Sequence, residues 1–303
     1  MKIVITGGAG FIGSHLADAI VKRGDEITII DNLSTGKKEN VPQSAKFVAK
    51  DILRENIDKD IMGADTVFHM AADPDVRSSA EDPLKSFELN LVATFRLLEA
   101  CRKTDVKRFV FASTSAVYGE AELIPTPEDH PCVPISNYGA SKLACEGYCS
   151  AYAHSYGIKT TVLRYANIFG ERSTHGVMYD FYKKLKRNPN ELEILGDGRQ
   201  EKSYLHVEDC ISATLTAFEK QEKIYDVFNV GSSEKYTVNE IAEMVCDAMG
   251  VKTRFRYTGG ERGWIGDVRL MLLDIRKIEA LGWKQKVSLR EGILRYIHWF
   301  SNC

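Results

Sequence analysis

A tyrosine and a lysine one helical turn apart are the residues whose types and spacing suggest chemistry. The stretch SNYGASK places Tyr138 and Lys142 at positions i and i+4, so both side chains leave the same face of a helix. A phenol with a pKa of about 10 is a weak base at neutral pH, but a nearby ammonium group stabilises the phenolate. Such a phenolate can take the proton of a hydroxyl group while a hydride leaves the same carbon for an oxidised nicotinamide. The pair therefore predicts alcohol oxidation, provided that the chain also binds a dinucleotide.

A glycine-rich turn near the first residue provides that dinucleotide site. In ITGGAGFIGSH, Gly7, Gly10 and Gly13 lie between an apolar β-branched run and an amphipathic helical pattern. Glycine lets the backbone approach a pyrophosphate, and a helix N-terminus offers free N–H groups and a favourable dipole. Asp31 ends the next predicted strand, where a carboxylate can bind the adenosine ribose and repel a 2′-phosphate. The pattern favours NAD over NADP.

The elements that must position these residues alternate between short apolar runs and helical patterns. The runs are KIVIT, EITIID, AKFVAKD, ADTVFHMAA, KRFVFAST and KTTVLRY, and long helices are predicted at about 83–103 and 137–156. Runs of this kind, separated by helices, are typical of parallel strands with crossover helices. After Gly170 the alternation breaks down, and DVFNV returns to the main sheet.

This organisation predicts an α/β fold. The main part is a Rossmann-type doubly wound parallel sheet that binds NAD, formed by residues 1–170 with about 205–232. A smaller, interwoven C-terminal substrate domain is predicted from about 171–204 and 233–303.

Composition limits the possible partners. The 303 residues are 44% hydrophobic and 27% charged, as in ordinary globular proteins, and the net charge of −2 gives no general attraction to nucleic acid or to an acidic membrane. The seven cysteines form no CxxC pair and no zinc-ligand spacing, so no metal site is expected. No run approaches the roughly 18 apolar residues of a membrane span, and no leader pattern is evident. We expect a cytoplasmic protein with no membrane or nucleic-acid partner.

Several motifs occur in the order typical of one enzyme family. They are GGAGFIG, the strand-ending Asp31, HMAA (69–72), STSAVYG (113–119), YGASK (138–142) and LRYANIFG (163–170). With these motifs the chain resembles the extended short-chain dehydrogenase/reductase family, and within it the nucleoside-diphosphate-sugar epimerases that invert C4 of UDP-glucose or UDP-N-acetylglucosamine. The resemblance implies a UDP-sugar substrate, NAD as cofactor and a transient 4-keto intermediate.

The resemblance also implies roles for individual residues. Thr114 would hydrogen-bond the sugar beside the catalytic residues Tyr138 and Lys142. The implied cofactor-binding residues are Gly7, Gly10, Phe11, Ile12, Gly13, Asp31, Asn32, Ser34, Gly36, Asp51, Ile52, Ala71, Ala72, Asn90, Tyr138, Lys142 and Tyr165. The implied substrate-binding residues are Thr114, Asn167, Val177, Ile194, Lys202 and Arg262, with residues 75–79 and Met271 near the sugar.

Three positions depart from the family pattern. Lys202 in EKSYLHV stands where many relatives have arginine, so a point charge replaces a bidentate fork. Arg262 lies farther upstream of the GD pair in ERGWIGD than the late phosphate-binding arginine usually does, and Arg269 follows, so two arginines compete for that role. Ala166 stands where an aromatic residue is common.

The residues after Thr114 favour one reaction within the family. The resemblance implies an Asp-Glu pair there in sugar dehydratases and Ser-Glu in uronate decarboxylases, whereas this chain has Ser115-Ala116. Without a positioned carboxyl group, acid–base elimination has no agent, which favours an epimerase. Two alternatives stay open: a net NAD-dependent dehydrogenase, which would release NADH, and a non-catalytic dinucleotide-sensing protein.

A homodimer is also predicted. The helices near 84–103 and 137–156 correspond to those that pair across the dimer in the resembling family. The first carries the apolar residues Leu84, Phe87, Leu91, Phe95 and Leu98. The alternative is that this stripe faces only the chain's own sheet.

Overall fold

A central parallel sheet organises the chain. The computed structural model describes residues 1–264 and 266–302. The strands of this sheet are β1 (Lys2–Thr6), β2 (Glu26–Asp31), β3 (Lys46–Ala49), β4 (Thr66–His69), β5 (Arg108–Thr114), β6 (Lys159–Tyr165) and β11 (Tyr225–Val230). All seven pair in parallel, in the order β11-β6-β5-β4-β1-β2-β3, which confirms the Rossmann-type prediction.

Helices cover both faces of the sheet. This is why its strands read as continuous apolar runs. One face packs Ile3, Phe68 and Val110 in its core, and the other packs Val67 and Phe109. The helices are α1 (Phe11–Lys22), α2 (Asp58–Ile61), α3 (Ser78–Glu81), α4 (Pro83–Ser86), α5 (Ala93–Lys103), α6 (Asn137–Tyr156), α7 (Val177–Arg187), α8 (Val207–Lys220), α9 (Val238–Met249), α10 (Arg276–Ala280) and α11 (Leu289–Ser301). In the part of the chain that the structure describes, no helix combines the length and apolar character needed to span a bilayer.

The strand order reverses at β1, and this reversal locates the functional cleft. From β1 the chain runs outward to β2 and β3, then crosses to β4 on the other side. The crossovers leave a crevice at the carboxyl ends of β1 and β4, which is where open α/β sheets bind ligands. The glycine-rich turn follows β1 and opens α1.

One of the two predicted long helices is regular and the other is not. α6 spans Asn137–Tyr156 as predicted, begins at a Ser136 cap and ends at Gly157 with φ 72°. The helix predicted at 83–103 contains a π-helical turn over Phe87–Val92, between α4 and α5. Short π segments of this kind occur frequently at functional sites.

A smaller unit is built mostly from the second half of the chain. It contains the paired strands β7 (Asn167–Phe169) with β10 (Tyr204–His206), β8 (Glu191–Ile194) with β13 (Arg254–Tyr257), and β9 (Glu201–Lys202) between β12 (Tyr236–Thr237) and β14 (Leu270–Met271). A separate core joins α7, α9 and α11 around Phe181 and Tyr296. Leu273 and Trp283 pack instead into the core of the main sheet, so the last third of the chain contributes to both units. The residue boundaries of the two domains stay a prediction.

The glycine turn yields a first test. A Cβ added at Gly13 would lie 2.2 Å from the Gly7 carbonyl oxygen. Gly13→Ala should therefore push α1 off the turn, lower the free energy of unfolding by about 1–3 kcal/mol and weaken NAD binding, measured by thermal denaturation and calorimetry. Gly24→Ala is the control, because Gly24 has φ 82° with open space around it. It should lower stability and leave NAD affinity unchanged; equal NAD loss in both variants would contradict the close-packing explanation.

Candidate active site

Helix α6 carries the predicted catalytic pair to the carboxyl end of β5. Its first turn is fixed by the Ser136 hydroxyl, which accepts the Gly139 N–H at 3.1 Å. Tyr138 is half-buried at the cleft, where its phenol is hydrogen-bonded to Thr114 at the end of β5. The structure therefore brings Thr114, Tyr138 and Lys142 to one place.

Lys142 is buried and points at the sheet. It is 3% exposed, its Nζ donates to the Ala112 carbonyl at 2.8 Å, and it lies 4.8 Å from the centre of the Phe111 ring. Burial disfavours the charged form and lowers the pKa of the Lys142 ammonium to about 8.

The pKa of Tyr138 in the chain without cofactor is set mainly by burial. Burial raises the pKa of Tyr138 to about 12; the hydrogen bond from Thr114 opposes this shift, and the charge of Asp73 adds to it. In the chain without cofactor the Lys142 ammonium is directed to the Ala112 carbonyl. That Lys142 and an oxidised nicotinamide together lower the pKa of Tyr138 stays a prediction. A phenolate here needs a further positive charge in the cleft.

The glycine turn and Asp31 form one hydrogen-bonded unit. The Gly7 N–H donates to the Ile30 carbonyl at 2.9 Å. The Asp31 carboxylate accepts the Ala9 N–H at 3.0 Å and the Leu33 N–H at 2.8 Å. The first turn of α1 has no side-chain cap, so its N–H groups are available to a phosphate. These features fit the pyrophosphate and ribose of a dinucleotide.

The other predicted cofactor residues lie along the same edge. Ala71 and Ala72 directly follow β4, and the Ala71 backbone packs against Gly7. The loop after β2 contains Asn32, Ser34 and Gly36, while Asp51 and Ile52 follow β3. Phe11 and Ile12 begin α1.

Asn90 reaches the cleft only indirectly. It is 1% exposed and lies in the π-helical turn. Its amide donates to the Asp73 carbonyl at 3.2 Å and to the Ser141 hydroxyl at 3.1 Å, and its oxygen accepts the Asp73 N–H at 2.9 Å. Asn90 thus joins the loop after β4 to α6. Sequence reasoning missed Asp73 and Ser141, since their positions depend on a non-local contact that no spacing reveals.

Two predicted residues present little side chain to the cleft. The Tyr165 ring lies in the core, with its hydroxyl 2.8 Å from the Thr214 hydroxyl. Ile194 is fully buried in the core of the smaller unit. Any contact they make with a ligand has to come from the backbone.

The predicted diphosphate-binding cations already face carboxylates. Lys202 pairs with buried Asp267, and Arg262 pairs with Glu120 at 2.6 Å. Arg269 pairs with Glu261 at 2.8 Å.

The remaining predicted substrate residues lie nearby. The Asn167 amide donates to the Ser203 carbonyl at 3.0 Å, and Val177 begins α7. Among the described residues, no group of three His, Cys, Asp or Glu side chains could hold a metal ion.

Comparison with known proteins identifies the family. The model of the NAD-dependent epimerase/dehydratase family matches residues 3–231. The chain belongs to this family. The resemblance to the extended short-chain dehydrogenases/reductases is therefore confirmed.

Solved structures of the family match the whole chain. A UDP-galactose 4-epimerase is 43% identical, with a TM-score of 0.91, and the match covers 100% of this chain and 99% of that one. The UDP-glucose 4-epimerase of Thermotoga maritima, solved with UDP-glucose, is 38% identical, with a TM-score of 0.93 and the same coverage. The UDP-glucose 4-epimerase of Thermus thermophilus, solved with NAD, is 37% identical, with a TM-score of 0.92 and full coverage of both chains.

The pKa of Tyr138 predicts a link between pH and cofactor affinity. An oxidised nicotinamide carries positive charge and favours the phenolate, so NAD⁺ binding should lower the pKa of Tyr138 from about 12. By reciprocity, NAD⁺ should bind more tightly as pH rises between the two pKa values of Tyr138. Calorimetry across pH should show that Tyr138→Phe removes this part of the slope and that NADH, whose nicotinamide is neutral, lacks it. An unchanged slope in Tyr138→Phe would contradict the assignment.

Asp31 yields a second test in this site. Asp31→Asn removes the charge that favours a ribose hydroxyl over a 2′-phosphate. The hydrogen bond that is weakened is worth about 1.5–3 kcal/mol when one partner is charged. We expect NAD⁺ affinity to fall roughly 10- to 100-fold and the preference over NADP⁺ to shrink, measured by competition binding. Asp51→Asn, which removes a carboxylate that accepts the Leu53 N–H at 2.9 Å, serves as the matched control and should have the smaller effect.

Proposed function

We propose that this chain is an NAD-dependent UDP-sugar 4-epimerase. The observation that carries the proposal is the grouping of Thr114, Tyr138 and Lys142 beside the glycine turn, with no carboxyl group at positions 115 and 116. The similar proteins of known structure include UDP-glucose 4-epimerases, one solved with UDP-glucose and another with NAD.

Each side chain has a defined task in this reaction. Tyr138, as phenolate, takes the proton of the sugar 4-hydroxyl and later returns it, while Thr114 orients that hydroxyl through its own. NAD, when bound, accepts the hydride from C4 and gives it back. The C4–H electron pair leaves as hydride and the O–H proton goes to Tyr138, so C4 becomes a ketone. After the sugar turns about its link to the diphosphate, the reverse transfer to the opposite face inverts C4.

Binding energy must come from the nucleotide rather than from the sugar. We assign the diphosphate to Lys202, Arg262 and Asn167, because these cationic and amide groups lie in the smaller unit beside β7 and β9. A phosphate that reaches Arg262 competes with Glu120 for the guanidinium. A firmly held diphosphate and a loosely held hexose allow the ketone to rotate without being released.

The deciding experiment follows C4 inversion by NMR with UDP-glucose, UDP-N-acetylglucosamine and their uronates. We expect one of these pairs to reach equilibrium without net NADH. Tyr138→Phe should lower kcat by at least about 100-fold and keep NAD binding. Stoichiometric NADH would instead indicate a dehydrogenase, and NAD binding without turnover of any of these sugars would contradict the epimerase proposal.

We also propose a homodimer. Apolar side chains stay exposed on the helices predicted to pair: Leu84 (63%), Phe87 (49%), Phe95 (40%), Tyr148 (43%) and Tyr156 (53%). Leu98, at one end of the predicted apolar stripe, is buried in the chain's own core. The alternative, in which the stripe packs only against the chain's own sheet, therefore holds for this residue but not for the exposed ones. A second copy of the same two helices would cover the exposed part as a four-helix bundle.

The dimer proposal is tested by light scattering. Phe95→Glu should convert a dimer to a monomer, because it buries a charge in an apolar interface. Leu294→Glu, at a residue that is 51% exposed on α11, should leave the mass unchanged. A monomeric wild type, or a Phe95→Glu protein that stays dimeric, would contradict this interface.

We assign the protein to the cytoplasm, in keeping with its free thiols among the described cysteines.

A further inference from the structure

A buried row of polar side chains crosses three strands beside the catalytic pair. The strand register makes Ser113 of β5 the neighbour of Arg164 of β6, and Arg164 the neighbour of Asn229 of β11. All three are at most 6% exposed. One layer deeper, the same face carries Phe111 and Val162. Polar groups buried beside such a core must find partners.

Helix α6 supplies the central partner. Glu146 lies one turn after Lys142 and two turns after Tyr138, on the same face, and is 3% exposed. Its carboxylate accepts a hydrogen bond from the Ser113 hydroxyl. It also accepts two hydrogen bonds from Arg164, from Nε at 3.0 Å and from Nη2 at 2.7 Å. A two-pronged guanidinium–carboxylate contact fixes orientation as well as distance.

The other side of Arg164 holds the loop that leaves the active site. Its Nη1 donates to the Tyr118 hydroxyl at 2.8 Å and to the Glu128 carbonyl at 2.9 Å. The Tyr118 hydroxyl donates to the Asn229 side-chain oxygen at 2.8 Å. The Asn229 amide donates in turn to the carbonyls of Thr126 at 2.9 Å and Asp274 at 3.1 Å. The network therefore runs from α6 to the segment that follows Met271.

Two consequences for Lys142 follow from this geometry. Lys142 donates to Ala112 while Glu146 accepts from Ser113, so successive residues of β5 fix how α6 sits on the sheet. Lys142 and Glu146 are also an i, i+4 pair, which can form its own ion contact on a helix. Arg164 binds the Glu146 carboxylate, and among the described residues the Lys142 ammonium has no carboxylate within ion-pair distance.

We propose that the buried Glu146–Arg164 pair positions the catalytic residues. The pair fixes the position of α6 against β5, and it prevents Glu146 from forming an ion pair with Lys142. This inference rests on the proposed function for its kinetic readout. Glu146 and Arg164 touch neither sugar nor cofactor in this assignment; they act through Lys142 and Tyr138.

The test uses charge changes of opposite sign. Arg164→Met leaves the Glu146 charge free to pair with Lys142, so kcat should fall about 10- to 100-fold, and the acid limb of the kcat–pH profile should move to higher pH. Glu146→Gln leaves the Arg164 charge uncompensated, which favours the phenolate, and should move that limb to lower pH. The double variant Glu146→Gln/Arg164→Met should restore the wild-type limb and recover kcat over Arg164→Met, with KM for the UDP-sugar unchanged throughout.

Other charged or titratable groups around the pair are common to all variants. They are His69 from β4, Asp73 with its partner Lys85, Cys145 and Cys149 on α6, Tyr225 on β11, and Tyr118, Glu128 and Cys132 in the segment after β5. Burial lowers the pKa of His69 to about 3, so it stays neutral in the range of the assay. Shifts of opposite sign therefore report on the Glu146–Arg164 pair.

A readout without turnover separates this inference from the proposed function. Ultraviolet difference spectra of each variant against the same variant with Tyr138→Phe give the phenolate titration of Tyr138. Its pKa should rise in Arg164→Met and fall in Glu146→Gln. If the wild type proves inactive toward UDP-sugars but these opposite shifts appear, the proposed function fails and the positioning role stands.

Controls distinguish a positioning role from a merely structural one. Lys277→Met and Asp226→Asn break an ion pair of 2.6 Å at β11 and α10, and should change neither kcat nor the pH profile. If Arg164→Met does not fold, Arg164→Lys keeps the charge without the fork and should lower kcat with an unshifted limb. Shifts of the same sign in both single variants, or a double variant no better than Arg164→Met, would overturn the proposal.

Discussion

The hydrogen bond from the Lys142 ammonium to the Ala112 carbonyl is the contact on which the site depends. This bond holds α6 against the last residues of β5, with Nζ 2.8 Å from the carbonyl oxygen. Lys142 is only 3% exposed. A charge buried this deeply is costly unless its partners are held in place. Two nearby polar contacts help to hold α6 in place. Ser136 caps the start of the helix, and Asn90, which is bonded to the loop after β4, donates a hydrogen bond to Ser141 of the helix.

The chemistry of the site depends on how charge is divided between protein and cofactor. Burial keeps the Tyr138 phenol neutral in the free chain and holds the Lys142 pKa at about 8. The glycine turn and Asp31 lie at the same edge of the sheet, where they would hold a dinucleotide. An oxidised nicotinamide bound there would supply the positive charge that favours the phenolate, so we expect Tyr138 to act as a base only when the hydride acceptor is present.

Much of this could be predicted from local sequence. Apolar runs and glycine punctuation predict the sheet, the α6 bounds and the cleft, because these depend on neighbours along the chain. The π-helical turn at Asn90, the core orientation of Tyr165 and the Lys202–Asp267 pair arise from contacts between distant segments. The surroundings of Tyr138 depend on such contacts too, because helical spacing predicts which face Lys142 occupies but not which carbonyl oxygen accepts its ammonium hydrogen bond.

In a 4-epimerase of this kind one hydride leaves C4 and returns to the same carbon without escaping. A UDP-hexose that carries deuterium at C4, incubated with the protein in ordinary water and analysed by NMR and mass spectrometry, tests this directly. We expect the C4-inverted product to retain its deuterium at C4 at equilibrium. Loss of the deuterium to solvent, or its accumulation in released NADH, would contradict it.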